Sequence, residues 1–171
     1  MRNRKAIRGI SVCALVVAAL TGGCAYRLGS TLPPGIRTVH VANFVNRSAE
    51  PQLEVETARA VIREFQKDGT LRVESSARAD LQLQVTLERF TLEPLRYDSD
   101  QAKTTSEYRL RITARMLLKR NSSGEQMLDK VVQGETTLEP GTDLTSAKLG
   151  AIPAAATDLA HDIVESVVEY W

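Results

Sequence analysis

The sequence is short of the residues from which most active sites are built. It has two cysteines and two histidines, and only one Trp, four Tyr and three Phe. His40 and His161 stand far apart, with no HxxxH or HExxH spacing and no cysteine nearby, so neither a metal site nor a catalytic triad has a local starting point. No GxGxxG, GxxxxGK[ST] or GxSxG occurs, which leaves phosphate cradles and nucleophile elbows without a motif. Asp98 and Asp100 lack the glycine and the distant glutamate of a calcium loop. An excess of one charge is also missing. The 22 Lys+Arg face 21 Asp+Glu, whereas a nucleic-acid binder needs a strongly basic footprint. At 171 residues the chain amounts to one domain, too little for separate cofactor and substrate modules. We therefore expect no enzyme, no cofactor and no metal.

What is present begins at the N-terminus. Arg2, Arg4, Lys5 and Arg8 precede ISVCALVVAAL, eleven uncharged residues from Ile10 to Leu20. Basic, then apolar, then small is the layout of a secretory signal peptide, and the run falls well short of the ~20 residues of a spanning helix. Leu20-Thr21-Gly22-Gly23-Cys24 follows and resembles a bacterial lipobox, in which the cysteine is acylated and becomes the new N-terminus. Here Leu stands one position earlier than usual. Cys13 interrupts the apolar run and is the poorer candidate. We expect residues 1–23 to be a leader, residues 24–35 an acylated N-terminus and linker, and 36–171 one domain. Several acyl chains on Cys24, at about 0.8 kcal/mol per buried methylene, would hold the protein on a membrane. Ala25 in place of Asp matches the default sorting to the outer membrane. Losing the leader removes four basic residues and no acid, so 18 Lys+Arg then face 21 Asp+Glu.

Residues 36–44, IRTVHVANF, are β-branched and bounded by Pro33-Pro34-Gly35 and Asn46-Arg47-Ser48, which predicts a first strand. Residues 51–67 switch to helical spacing, with Pro51 at the start and Gly69 as a left-handed cap. A short strand at 71–74 precedes strict alternation through Leu81, Leu83, Val85 and Leu87. Phe90 and Leu92 then fall on even numbers, which predicts a β-bulge near Glu88-Arg89. A polar loop, about 94–106, leads to a strand with Tyr108, Leu110, Ile112, Ala114, Met116 and Leu118 on one face. Asn121-Ser122-Ser123-Gly124 turns the chain into a returning strand, 126–137. A last helix is predicted at about 152–170, with Pro153 near its start. The expected fold is α+β: a two-layer sandwich with two helices on one face of a mostly antiparallel sheet of four to five strands, the other face uncovered.

One constellation rises above this background. Arg109, Arg111, Arg115 and Lys119 share the polar face of one strand, with Arg96 and Lys103 in the adjoining loop. Guanidinium forks suit phosphate. Equally, Arg109 and Arg111 can pair across strands with Glu88, Asp129 or Glu135 and simply keep the sheet face soluble.

In this order of elements, Cys24-Ala25-Tyr26-Arg27-Leu28-Gly29, Phe44-Val45-Asn46-Arg47, Glu50-Pro51-Gln52-Leu53-Glu54, Phe65-Gln66-Lys67-Asp68-Gly69, Ala79-Asp80-Leu81, Leu95-Arg96-Tyr97-Asp98 and Glu107-Tyr108-Arg109-Leu110 resemble the LptE family. The resemblance covers nearly the whole mature chain. It implies a non-enzymatic lipoprotein of the outer membrane, seated largely inside a large β-barrel translocon as plug and assembly aid and contacting lipopolysaccharide. The basic residues from Arg96 to Lys119 are then candidates for lipid A and core phosphates. A second class of reading is a periplasm-facing adaptor lipoprotein that regulates a cell-wall synthase or another envelope complex.

Overall fold

The computed structural model describes residues 32–97 and 105–171. The leader, Cys24 and the loop residues Asp98, Asp100 and Lys103 lie outside the described residues. The chain runs β1 (Thr38–Val41), β2 (Val45–Asn46), α1 (Leu53–Asp68), β3 (Arg72–Val73), β4 (Leu81–Tyr97), β5 (Thr105–Arg120), β6 (Gln126–Leu138) and α2 (Leu144–Val168). It is a mixed α+β fold, and its sheet has six strands in the order β3-β1-β4-β5-β6, with β2 also paired to β4.

The expectation of a mostly antiparallel sheet of four to five strands is corrected at the N-terminal side. β1 pairs in parallel with both β3 and β4, and β2 pairs in parallel with β4. The reason is the crossover: α1 carries the chain back along the sheet, so the strands on either side of it point the same way. Among the described residues only β4, β5 and β6 form an antiparallel meander. The predicted first strand, 36–44, is split into β1 and β2. Ala42 and Arg47 still donate their N–H groups to Leu83 and Leu87 at 2.9 Å.

α1 buries Leu53, Thr57, Ala60, Val61 and Phe65 along one stripe, the spacing that one face of a 3.6-residue helix demands. Gly69, at φ 75°, closes it by donating its N–H to the Phe65 carbonyl at 3.0 Å. This is the left-handed cap that glycine adopts without a Cβ clash. Pro51 lies outside the helix, and Gln52 takes the cap position at φ 61° with no side-chain cap bond.

The predicted bulge is present. Leu87 lies opposite Ala114 and Arg89 opposite Thr113, so Glu88 has no partner in the register. The slip turns Phe90 and Leu92 toward the same face as Ile112 and Leu110. Beyond them the two strands extend into the predicted loop, to Tyr97 and from Thr105, with further irregularities at Pro94–Arg96 and Arg96–Tyr97.

α2 begins eight residues before the predicted start. Asp143 caps it, accepting from the N–H groups of Thr145 at 3.0 Å and Ser146 at 3.1 Å, so Pro153 falls inside the helix. A proline there removes one backbone bond and crowds the carbonyl four residues back. That carbonyl belongs to Leu149, on an exposed part of the helix. α2 buries Ile152, Ala155, Ala156, Leu159, Ala160, Ile163, Val164 and Val167. These join α1's stripe, Leu81 to Leu87 of β4 and Leu110 to Leu118 of β5 in one hydrophobic cluster. The alanines let the helix lie close to β6. A Cβ built on Gly134 would meet the backbone of Ala155 and Leu159, so only glycine permits this approach.

Candidate functional face

The alternation that buries one side of β4, β5 and β6 turns a polar side the other way. Across that side the rows run Thr91–Arg111–Glu135, Arg89–Thr113–Gln133 and Thr86–Arg115–Val131. Thr113 is 6% exposed although it lies on this face. Arg111 and Arg115 stand two residues away along its strand, and Arg89 and Gln133 sit opposite it, so long side chains surround a short one.

Most of the candidate cations on this face are already paired. Arg115 forks onto Asp129, its Nε and Nη2 each donating to one carboxylate oxygen at 2.7 Å. The two are diagonal neighbours across β5 and β6, since Asp129 lies opposite Leu117, a separation that long side chains span. The hydrogen bond from Arg115 holds the Asp129 carboxyl below its ordinary range, and the same bond raises the guanidinium. Arg111 donates to Glu135 Oε2 through Nε at 3.3 Å and Nη2 at 3.1 Å, and lies 3.7 Å from Glu93. Arg109 reaches the same Glu135 oxygen at 3.4 Å. Arg96 lies 3.8 Å from Glu107, its register partner. Lys119, half-buried at the far end of β5, makes no salt bridge among the described residues.

Of the six predicted cations, the fold therefore aligns Arg109, Arg111, Arg115 and Lys119 along one strand face and sets Arg96 on the neighbouring strand near its tip. Of the three carboxylates proposed from sequence as partners of Arg109 and Arg111, Glu135 takes both, while Asp129 pairs with Arg115 instead. Glu88 sits in the bulge and forms no salt bridge among the described residues, while Glu93 and Glu107 take part unpredicted. The bulge itself was the signal for Glu93, because it brings this residue opposite Arg109.

The histidines are elsewhere. His40 Nδ1 lies 3.2 Å from the Glu74 carbonyl, and exposed His161 lies 3.5 Å from Glu64. Among the described residues no group of three or more His, Cys, Asp or Glu is arranged to hold a metal ion.

Two polar ties, both missed from sequence, hold the frame under this face. Asn46 donates to the Glu50 carbonyl and to Glu54 Oε2, each at 2.8 Å, and accepts from Ser48. Buried Glu50 in turn accepts from Lys148 at 2.8 Å, which ties the β2–α1 turn to the first turns of α2. At the opposite end Asp80 Oδ2 accepts from the N–H groups of Arg37 and Thr38 and from the Thr38 hydroxyl, at 2.9, 3.0 and 2.7 Å.

Asn46, Glu50, Glu54 and Asp80 of these ties are among the residues that carry the family resemblance, and a model of the family described as "LptE: Lipopolysaccharide-assembly" matches residues 36–168. The chain belongs to the LptE family. It is an envelope lipoprotein of lipopolysaccharide assembly. Solved structures share the fold at low identity. A protein of Xanthomonas campestris is 16% identical with TM-score 0.59, over 83% of this chain and 90% of its own. A minor lipoprotein of Acinetobacter baumannii is 9% identical with TM-score 0.52, over 77% and 92%. Lipoprotein B of Nitrosomonas europaea is 11% identical with TM-score 0.50, over 84% and 92%. Among curated proteins no sequence matches this chain significantly.

Proposed function

We propose that this LptE-family lipoprotein is anchored through acylated Cys24 to the outer membrane and assembles with a large β-barrel translocon. There it helps to place lipopolysaccharide in the outer leaflet. In this reading residues 36–171 act as one two-layer domain, with both helices on one side and the polar face of β4, β5 and β6 turned toward the barrel wall. The observation that carries it is the charge balance of that face, where Arg109, Arg111 and Arg115 are matched by Glu93, Glu135 and Asp129. A barrel lumen is polar, and a face on which these three arginines are already paired meets it with fewer uncompensated ions, whose burial is costly.

The same row supplies the contact with lipopolysaccharide. Arg109, Arg111 and Arg115, with Arg96 and Lys119 at its ends and Lys103 as a further candidate from sequence, exchange carboxylate for phosphate, an anion that accepts the same guanidinium fork. The exchange weakens the net affinity, since each phosphate must displace a carboxylate. Among the described residues Lys119 has none to displace.

One preparation tests both parts. Mature protein captured from detergent-solubilised membranes is expected to bring down a large β-barrel protein, and to retain lipopolysaccharide better than its dephosphorylated form. Changing Arg109, Arg111 and Arg115 together to Ser removes that preference, roughly a tenfold effect if one to two charge-assisted bonds are lost. Absence of a barrel protein contradicts the assembly. Equal retention of both lipid forms by the wild type contradicts the phosphate contact.

A further inference from the structure

The two ends of the domain differ in chemistry, and the topology identifies which residues share each end. β1 begins at Thr38 beside Arg72 of β3, β4 begins at Leu81 beside Val39, and β5 ends at Arg120 opposite Leu81. α2 runs against β6: Leu159 lies at Gly134, and Ser166 accepts from Lys130 near the start of that strand. Its last residues therefore reach the end of the sheet where the described chain begins, at Leu32.

Tyr170 and Trp171 follow the last turn of α2 at this end. Tyr170 is 43% exposed, and the two rings meet edge to face with centroids 5.0 Å apart. The Trp171 Nε1 is buried without a hydrogen-bond acceptor among the described residues. Arg37 and Arg72 are exposed at the same end and make no salt bridge among the described residues. This combination suits the headgroup region of a bilayer. Tyr and Trp collect there because one part of each ring system is apolar and the other seeks an acceptor, and basic side chains find lipid phosphates.

The length of chain ahead of the domain says which surface is within reach. Leu32 is the eighth residue after Cys24, a tether of at most about 29 Å when fully extended. We propose that this end of the domain docks on the phospholipid surface holding the anchor, with Tyr170 and Trp171 in the headgroup region and Arg37 and Arg72 against lipid phosphates. The inference rests on acylation of Cys24, and its test separates the two.

Trp171 is the sole tryptophan in the chain, so its fluorescence reports on this end alone. The full acylated protein is reconstituted into phosphatidylcholine vesicles whose chains carry bromine close to the headgroup, close to the chain end, or nowhere. The expected result is loss of roughly half the emission with bromine near the headgroup and clearly less with bromine near the chain end, as an interfacial ring requires. A protein that floats with the vesicles but shows equal emission in all three overturns the docking while leaving the anchor intact. A protein that does not float overturns the anchor and the docking together.

Discussion

Asp80 concentrates in one side chain much of what holds the start of β1 to the start of β4. Its Oδ2 accepts from three donors, and its own N–H donates to the Thr38 hydroxyl at 2.9 Å. The Thr38 hydroxyl and the Arg37 N–H together hold its carboxyl below the ordinary 3.8. A carboxyl depressed on folding contributes stability that is complete above its unfolded pKa and is lost as pH falls through the folded value. Asp80→Asn is therefore expected to cost about 2 kcal/mol near neutral pH, the scale of hydrogen bonds to a charged group. The difference from wild type should shrink as the pH drops below about 3.8. Urea unfolding at several pH values checks this, and a gap that persists unchanged in acid contradicts it. Ala79-Asp80-Leu81 stands out in sequence as part of the resemblance, but its partners Arg37 and Thr38 are some forty residues away. The same holds for Glu50, whose ion pair with Lys148 joins positions 98 residues apart. Distances of that kind carry no local pattern.

At the scale of elements, periodicity was informative wherever one face is buried. The alternation of β4 and β5, the slip at Glu88 and the Gly69 cap were all readable because each follows from side-chain spacing or from the steric freedom of glycine. The direction of β1, β2 and β3 was not readable, since strands of two to four residues are too short to show a period and parallel pairing depends on where α1 returns the chain. The start of α2 was missed because Pro153 suggested a boundary, while Asp143 and the two N–H groups it caps set the real one. Gly134 was equally silent in sequence, and it controls how closely α2 lies on β6. Gly134→Ala is expected to force the helix away from the strand at Ala155 and Leu159, at a cost of roughly 3 kcal/mol from overpacking. Thermal unfolding measures it, and a melting temperature equal to wild type would contradict the close approach.

At the scale of the whole molecule, near-neutral composition hides an ordered distribution. The basic residues singled out from Arg109 to Arg115 do lie together on one sheet face, as their alternation required. Their carboxylate partners could be read only in part, because Glu93 reaches its place through the bulge, and the neighbouring Arg96–Glu107 pair forms because β4 continues into the predicted loop. The result is a broad polar face, charged yet balanced, on a domain whose helices bury the other side. The proposed function requires this face, rather than the helices, to meet the barrel. A photo-reactive residue placed at exposed Val131 or Gln133 of β6, and for comparison at exposed Gln66 of α1, measures that directly in living cells. The account predicts that irradiation joins Val131 and Gln133 to a large outer-membrane β-barrel protein while Gln66 gives little product; strong barrel products from Gln66 with none from β6 would contradict it.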